Sequence, residues 1–137
     1  MVGVANSVTK RERDCLVNLK EKTRAGFPLR LHEIADAMEV KPPTALGIVR
    51  RLASKGYAES KGGMVILTES GSARARSILL VHRTFESLFC QSGISSSIAC
   101  REAGEIDFLI PEKNARLILK RIDSPKVCPH GKPIGDA

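Results

Sequence analysis

The chain has 137 residues, 42% of them hydrophobic, with 22 Lys and Arg against 15 Asp and Glu for a net charge of +7. That is enough apolar material for one ordinary domain or two small packed ones, and it argues against a disordered tail. Aromatics are 4% with no Trp, too few to stack unpaired bases, so a nucleic-acid partner is expected to be double-stranded.

The longest apolar runs, residues 64–67 and 78–81, hold four residues each, far short of the roughly 20 that cross a bilayer. The start, residues 1–7, leads almost at once to Lys10-Arg11 and contains no readable signal peptide. A cytoplasmic chain with no membrane partner is expected. Residues 1–81 carry 14 Lys/Arg and 8 Asp/Glu, a net of +6; residues 82–137 carry 8 and 7, a net of +1. The basic excess belongs to the front of the chain and suggests a phosphate-facing surface there. Cys15, Cys90, Cys100 and Cys128 form no CxxC pair, which argues against a zinc ribbon or a thioredoxin-type motif. In a reducing compartment they are expected as free thiols or metal ligands.

Thr9-Lys10-Arg11-Glu12 has capping-box spacing and predicts a helix over residues 10–23, with Cys15, Leu16 and Leu19 as its apolar stripe and Gly26 and Pro28 as its end. Leu31, Ile34, Ala35 and Met38 recur at i, i+3, i+4, i+7 and predict a short second helix. After the break at residues 39–42, Pro43 opens a third helix to Ser54, with Leu46, Val49 and Leu52 facing inward and Gly56 closing it. Residues 57–60 and 64–67 read as strands around a Lys61-Gly62-Gly63 hairpin tip. Thr68 caps a long fourth helix to Gln91, Ser95-Ser96-Ser97 starts a fifth through Leu109, and Pro111 opens a sixth that Pro125 ends. The tail, residues 126–137, is expected to be extended. The fold class is therefore mostly α with a small β-hairpin wing. A winged helix-turn-helix occupies residues 1–70 and a helical domain residues 71–137.

In that order of elements the third helix enters the major groove with its N-terminal residues nearest the bases. Pro43, Thr44 and Ala45 stand there, and none can make a bidentate base contact. Affinity must then come from phosphate contacts by Lys41, Arg50, Arg51, Lys55 and Lys61 on the wing, with Arg24 or Arg30 nearby. The bland alternative is that Arg50 and Arg51 only solubilise a helix.

A second set of residues has the chemistry of metal ligands. His82 and Glu86 lie at i and i+4 on one helix face. Cys100, Glu105 and Asp107 follow, Cys128 and His130 stand near the end, and Asp14 and Cys15 could reach the same region if the first helix packs on the fourth. Imidazole and carboxylate suit Fe(II) or Mn(II), while the four thiols leave Zn(II) or an iron–sulfur centre as alternatives. Each piece alone also fits a surface hydrogen bond or an inert core thiol. A Gly-rich phosphate loop, H-E-x-x-H and G-x-S-x-G are all absent from the sequence, so neither an enzyme nor a small-molecule substrate is expected.

Residues 31–44, the stretch 49–57, Leu67-Thr68-Glu69-Ser70-Gly71, His82-Arg83 with Glu86, and the tail Val127-Cys128-Pro129-His130-Gly131-Lys132-Pro133-Ile134 carry a resemblance. Over residues 13–134 the chain is similar to the diphtheria-toxin-repressor and manganese-transport-regulator family of metal-dependent transcriptional repressors. The helix segments are shared with many winged helices; the His-Arg…Glu step and the Cys-Pro-His-Gly tail are more specific. The resemblance implies a homodimer on a palindromic operator, with the back half supplying dimer contacts and metal ligands. It implies that metal links the first helix to the dimerisation helices and sets the spacing of the two DNA-reading heads.

Residue by residue, Asp14 falls where manganese regulators place a first-helix carboxylate, and His82 and Glu86 match the family's fourth-helix ligands. Cys100 falls near a family histidine if one residue is deleted before it, and Asp107 stands in for a family Glu. Gly104 and Phe108 replace family ligands, so the two-site arrangement is altered. Either the set is rebuilt from Cys15, Cys100, Glu105, Cys128 and His130, or the protein is a winged-helix regulator that is metal-independent or senses redox through its thiols. The chain ends soon after the tail signature, so the optional SH3-like domain of the family is not expected.

Overall fold

The computed structural model describes residues 7–23, 27–122 and 125–134. Arg24 and Gly26 lie outside these. The chain divides into two compact units, Met1–Arg76 and Ser77–Ala137. The division falls inside a helix, a few residues beyond the expected boundary at 70/71.

In the first unit, α1 (Lys10–Lys22) starts at the predicted capping box: the Glu12 N–H donates to Thr9 Oγ1 and the Thr9 N–H to Glu12 Oε1, both at 3.2 Å. β1 (Leu29–Arg30) leads straight into α2 (Leu31–Met38), and α3 (Pro42–Ser54) follows after a tight turn. Glu39 closes α2 at φ 56°, in the left-handed region, where its N–H donates back to Ala35 and Asp36. Cys15, Leu16 and Leu19 of α1, Ile34 of α2 and Ile48 and Leu52 of α3 are buried, and the three helices pack on one another to form one core.

β2 (Ala58–Lys61) and β3 (Met64–Leu67) form the wing hairpin, with Lys61 opposite Met64. Gly62 and Gly63 both have positive φ, as a two-residue hairpin of the primed type requires. The sheet has three strands in the order β1-β3-β2, one more than the sequence suggests. β1 is two residues long and carries no alternation to detect; Leu29 and Arg30 simply pair with Val65 and Met64.

α4 (Glu69–Gln91) is capped as expected, Thr68 Oγ1 accepting the Gly71 N–H at 3.0 Å. In the second unit α5 (Ser96–Ile106) and α6 (Glu112–Arg121) follow. Leu80, Val81 and Phe85 of α4 pack with Ala103 of α5 and Ala115 of α6 to make a second core. α5 stops at Ile106 rather than Leu109, and Pro111 is the N-cap of α6 rather than its first residue.

Over the described residues 126–134 the tail is not extended. The Cys128 N–H donates to Lys132 O, and the Gly131 N–H and Ile134 N–H donate to Cys128 O and Lys126 O, each at 2.8 Å. Gly131 supplies the positive φ that this turn needs. Arg83 of α4 ties the turn down by donating to Pro133 O at 2.9 Å. Among the described residues no helix is long and apolar enough to cross a membrane.

Candidate metal centre and nucleic-acid face

The period of α4 puts His82 and Glu86 on one face, and the fold brings α5 and the tail turn to that face. His82 Nε2 lies 3.1 Å from Glu86 Oε1 and 3.5 Å from Cys100 Sγ. The other carboxylate oxygen, Glu86 Oε2, lies 2.6 Å from His130 Nδ1. Two groups of three ligand atoms result, His82 with Glu86 and Cys100, and Glu86 with Cys128 and His130, the atoms of each lying within 4.8 Å of one another. Glu86 belongs to both and is 3% exposed. The donors fit a divalent transition metal: each triad offers a nitrogen, an oxygen and a sulfur, and the shared carboxylate turns one oxygen to each side.

Burial opposes charge on His82, but hydrogen bonds to Asp107, Glu86 and Cys100 outweigh it and raise its pKa to about 10. Burial likewise works against ionised Glu86, yet His82 and His130 hold its carboxyl below the usual range. In the metal-free protein these pairings favour an ionised Glu86 and a protonated His82.

Four expected ligands join neither triad. Asp107 is fully buried and bonds His82 Nδ1 at 2.9 Å, so it orients the imidazole from behind instead of joining a triad. Cys15 is fully buried in the first unit's core. Burial, then Asp14 and Glu12, push its thiol up to about 12, far from the thiolate that binds metal. Glu105 lies on the exposed side of α5 and joins neither triad. Asp14, in the first unit, is held by Lys10 at 2.8 Å and Arg13 at 3.0 Å. Cys90, one turn beyond Glu86 on α4, joins neither triad; burial, then Glu86 and Cys128, raise its thiol pKa.

On the first unit Lys41, Pro43, Thr44 and Arg50 are exposed along the N-terminal and outer face of α3, and Lys61 is exposed on the wing. Ala45 is fully buried and presents nothing to a groove. It belongs to the inward set Ala45, Ile48, Val49, Leu52, which keeps the expected Val49 and Leu52 but has Ala45 and Ile48 in place of the expected Leu46; Leu46 is only half-buried. Arg51 Nε donates to Glu12 Oε2 at 3.1 Å, and Lys55 donates to Glu12 Oε1 and Ser7 O. Both cations are thereby partly committed to a buried carboxylate.

Residues 68–136, half of the chain, match the iron dependent repressor, metal binding and dimerisation domain. The chain belongs to this repressor family. It is 33% identical over 111 residues to an uncharacterised helix-turn-helix transcriptional regulator of Aeropyrum pernix, covering 80% of this chain and 61% of that one. Among solved structures, a hypothetical protein of Sulfolobus solfataricus superposes with a TM-score of 0.79 at 27% identity, covering 94% of this chain and all of that one. The IdeR of T. acidophilum gives a TM-score of 0.74 at 31% identity, covering 96% of this chain and 61% of that one. The chain thus spans about three-fifths of the length of the curated regulator and of IdeR.

Proposed function

We propose that this protein is a metal-responsive transcriptional repressor of metal-ion homeostasis, working in the cytoplasm as a homodimer on duplex operator DNA. The observation that carries the reading is Glu86, a buried carboxylate shared by two ligand triads, in a chain whose other unit is a winged helix with exposed cations. His82, Glu86 and Cys100 hold one divalent ion, and Glu86, Cys128 and His130 hold a second. A bound ion supplies the positive charge that a proton on His82 supplies in its absence. Asp107 keeps the His82 ring oriented, and Arg83 keeps the Cys128–His130 turn against α4.

Metal favours the DNA-competent arrangement to the extent that it binds that arrangement more tightly. Lys41, Arg50 and Lys61 then contact phosphates, the N-terminus of α3 adds backbone donors, and Pro43 and Thr44 offer the bases apolar and hydroxyl contacts. Arg51 serves mainly to hold α3 against α1.

The test is the affinity of the purified chain for selected genomic duplexes, with a chelator and with added Fe(II), Mn(II) or Zn(II). Tighter binding with metal, falling steeply with salt, is expected. Equal affinity under all conditions would establish a metal-independent regulator instead.

A further inference from the structure

Each triad contains one sulfur, and the two sulfurs reach it from different elements: Cys100 from α5, Cys128 from the tail turn. Resting on the metal-responsive reading, we propose that Cys100 sets the metal preference, biasing the centre toward thiolate-preferring divalent ions of the Zn(II), Co(II) and Fe(II) class and against Mn(II).

The surroundings of Cys100 differ from those of an inert core thiol. Cys15 is fully buried among Leu16, Leu19 and their neighbours. Cys100 is half-buried, with Sγ 3.5 Å from the imidazole nitrogen that also faces Glu86. The bond from Asp107 to Nδ1 leaves Nε2 as the nitrogen turned to both.

Charge favours thiolates here. Cys100, Cys128, Glu86 and the fully buried Asp107 bring four negative charges when ionised, equal to the charge of two divalent ions. With Glu86, Cys128 and Asp107 buried, the centre is most stable when these charges are cancelled. On binding, each thiol gives its proton to solvent and its sulfur lone pair to the ion.

Selectivity follows from ligand type. Mn(II) is served best by carboxylate, carbonyl and water oxygens and stands lowest in the general affinity series. A sulfur in each triad widens that gap, because thiolate bonds strengthen toward Zn(II) more than toward Mn(II).

The test uses the full chain stripped of metal by chelator. Co(II) alone is added and the near-ultraviolet thiolate-to-cobalt charge-transfer band is recorded. The band is expected in the natural chain, reduced in Cys100→Ser, and abolished when Cys128→Ser is added. Competition between Zn(II) and Mn(II) is then measured for the natural chain and for Cys100→His, which retains a donor. The Zn(II)-over-Mn(II) ratio should narrow by about tenfold or more, because the substitution removes a thiolate that Zn(II) prefers and Mn(II) does not. An unaltered band in Cys100→Ser, or an unchanged ratio in Cys100→His, would overturn the proposal. Metal-stimulated DNA binding without any thiolate band would also overturn it while the repressor reading stood. Failure to bind any of these ions would remove both.

Discussion

His82 and Asp107 stand 25 residues apart in sequence, on different elements, and meet through a 2.9 Å bond from the imidazole Nδ1 to a fully buried carboxylate. The bond fixes which face of the ring meets Glu86 and Cys100. Replacing Asp107 by Asn keeps the size but removes the charge that holds the ring. Metal affinity, measured by competition with a chromophoric chelator, should fall by about 10–100-fold. Unchanged affinity would show that the ring is held by something else.

Metal binding should depend on pH. His82 has its pKa raised to about 10, burial being outweighed by Asp107, Glu86 and Cys100. Below that value a cation must displace a proton to reach Nε2, so affinity should rise with pH across the neutral range. Titration calorimetry in buffers of different protonation heat should show proton release at pH 7. A pH-independent affinity with no released proton would contradict the arrangement.

Glu12 joins α1 to α3. Burial works against its charge, but Lys55, the Thr9 N–H and Arg51 hold its carboxyl below the ordinary 4.5. A depressed carboxyl stabilises the folded state above its unfolded pKa, and that contribution is lost as pH falls through the folded value. Acid unfolding should therefore be shallower in Glu12→Gln than in the natural chain. At pH 7 the same variant should lose about 1 kcal/mol, because the charged bonds from Lys55 and Arg51 are screened by their partly exposed ends. Coincident acid-unfolding curves would count against the pairing.

Gly71 permits a close approach. A Cβ there would lie 1.9 Å from Tyr57 O and 2.8 Å from its carbonyl carbon, both backbone atoms. The start of α4 must move away to accept Ala, and Thr68 N–H would strain its 3.1 Å bond to the same oxygen. Gly71→Ala should cost about 1–3 kcal/mol in denaturant unfolding. An unchanged midpoint would mean that the helix start yields freely.

Much of the scaffold is readable from local chemistry. The Thr9–Glu12 capping box, the paired glycines of the wing and the Thr68 cap each act within a few residues and are found where their spacing puts them, and α3 starts on proline as expected, though at Pro42 rather than Pro43. The misses have different causes. β1 is stabilised by partners more than thirty residues away, which no local period reports. Ala45 was readable: the set 45, 48, 49, 52 fits a helix stripe as well as the Leu46 set does, and a small residue is easily passed over as an inward one. Pro and Gly predict an extended tail because they resist regular structure, yet Gly131 makes the turn that brings Cys128 and His130 to Glu86.

Within the site, the i,i+4 pair His82–Glu86 follows from helix geometry alone. The role of Asp107 does not, because a carboxylate that binds an ion and one that props the ligand behind it look alike in sequence. Cys15 shows the same limit from the other side. Only its burial in the first core separates it from Cys100.

The central claim is that Glu86 is the common member of two metal sites. It is tested most directly by counting ions: elemental analysis of the chelator-stripped chain after reloading with Zn(II) and removal of free metal, beside Glu86→Ala. The account predicts two equivalents per chain and the loss of both in the variant. No bound zinc in the natural chain, or two equivalents retained by Glu86→Ala, would contradict it.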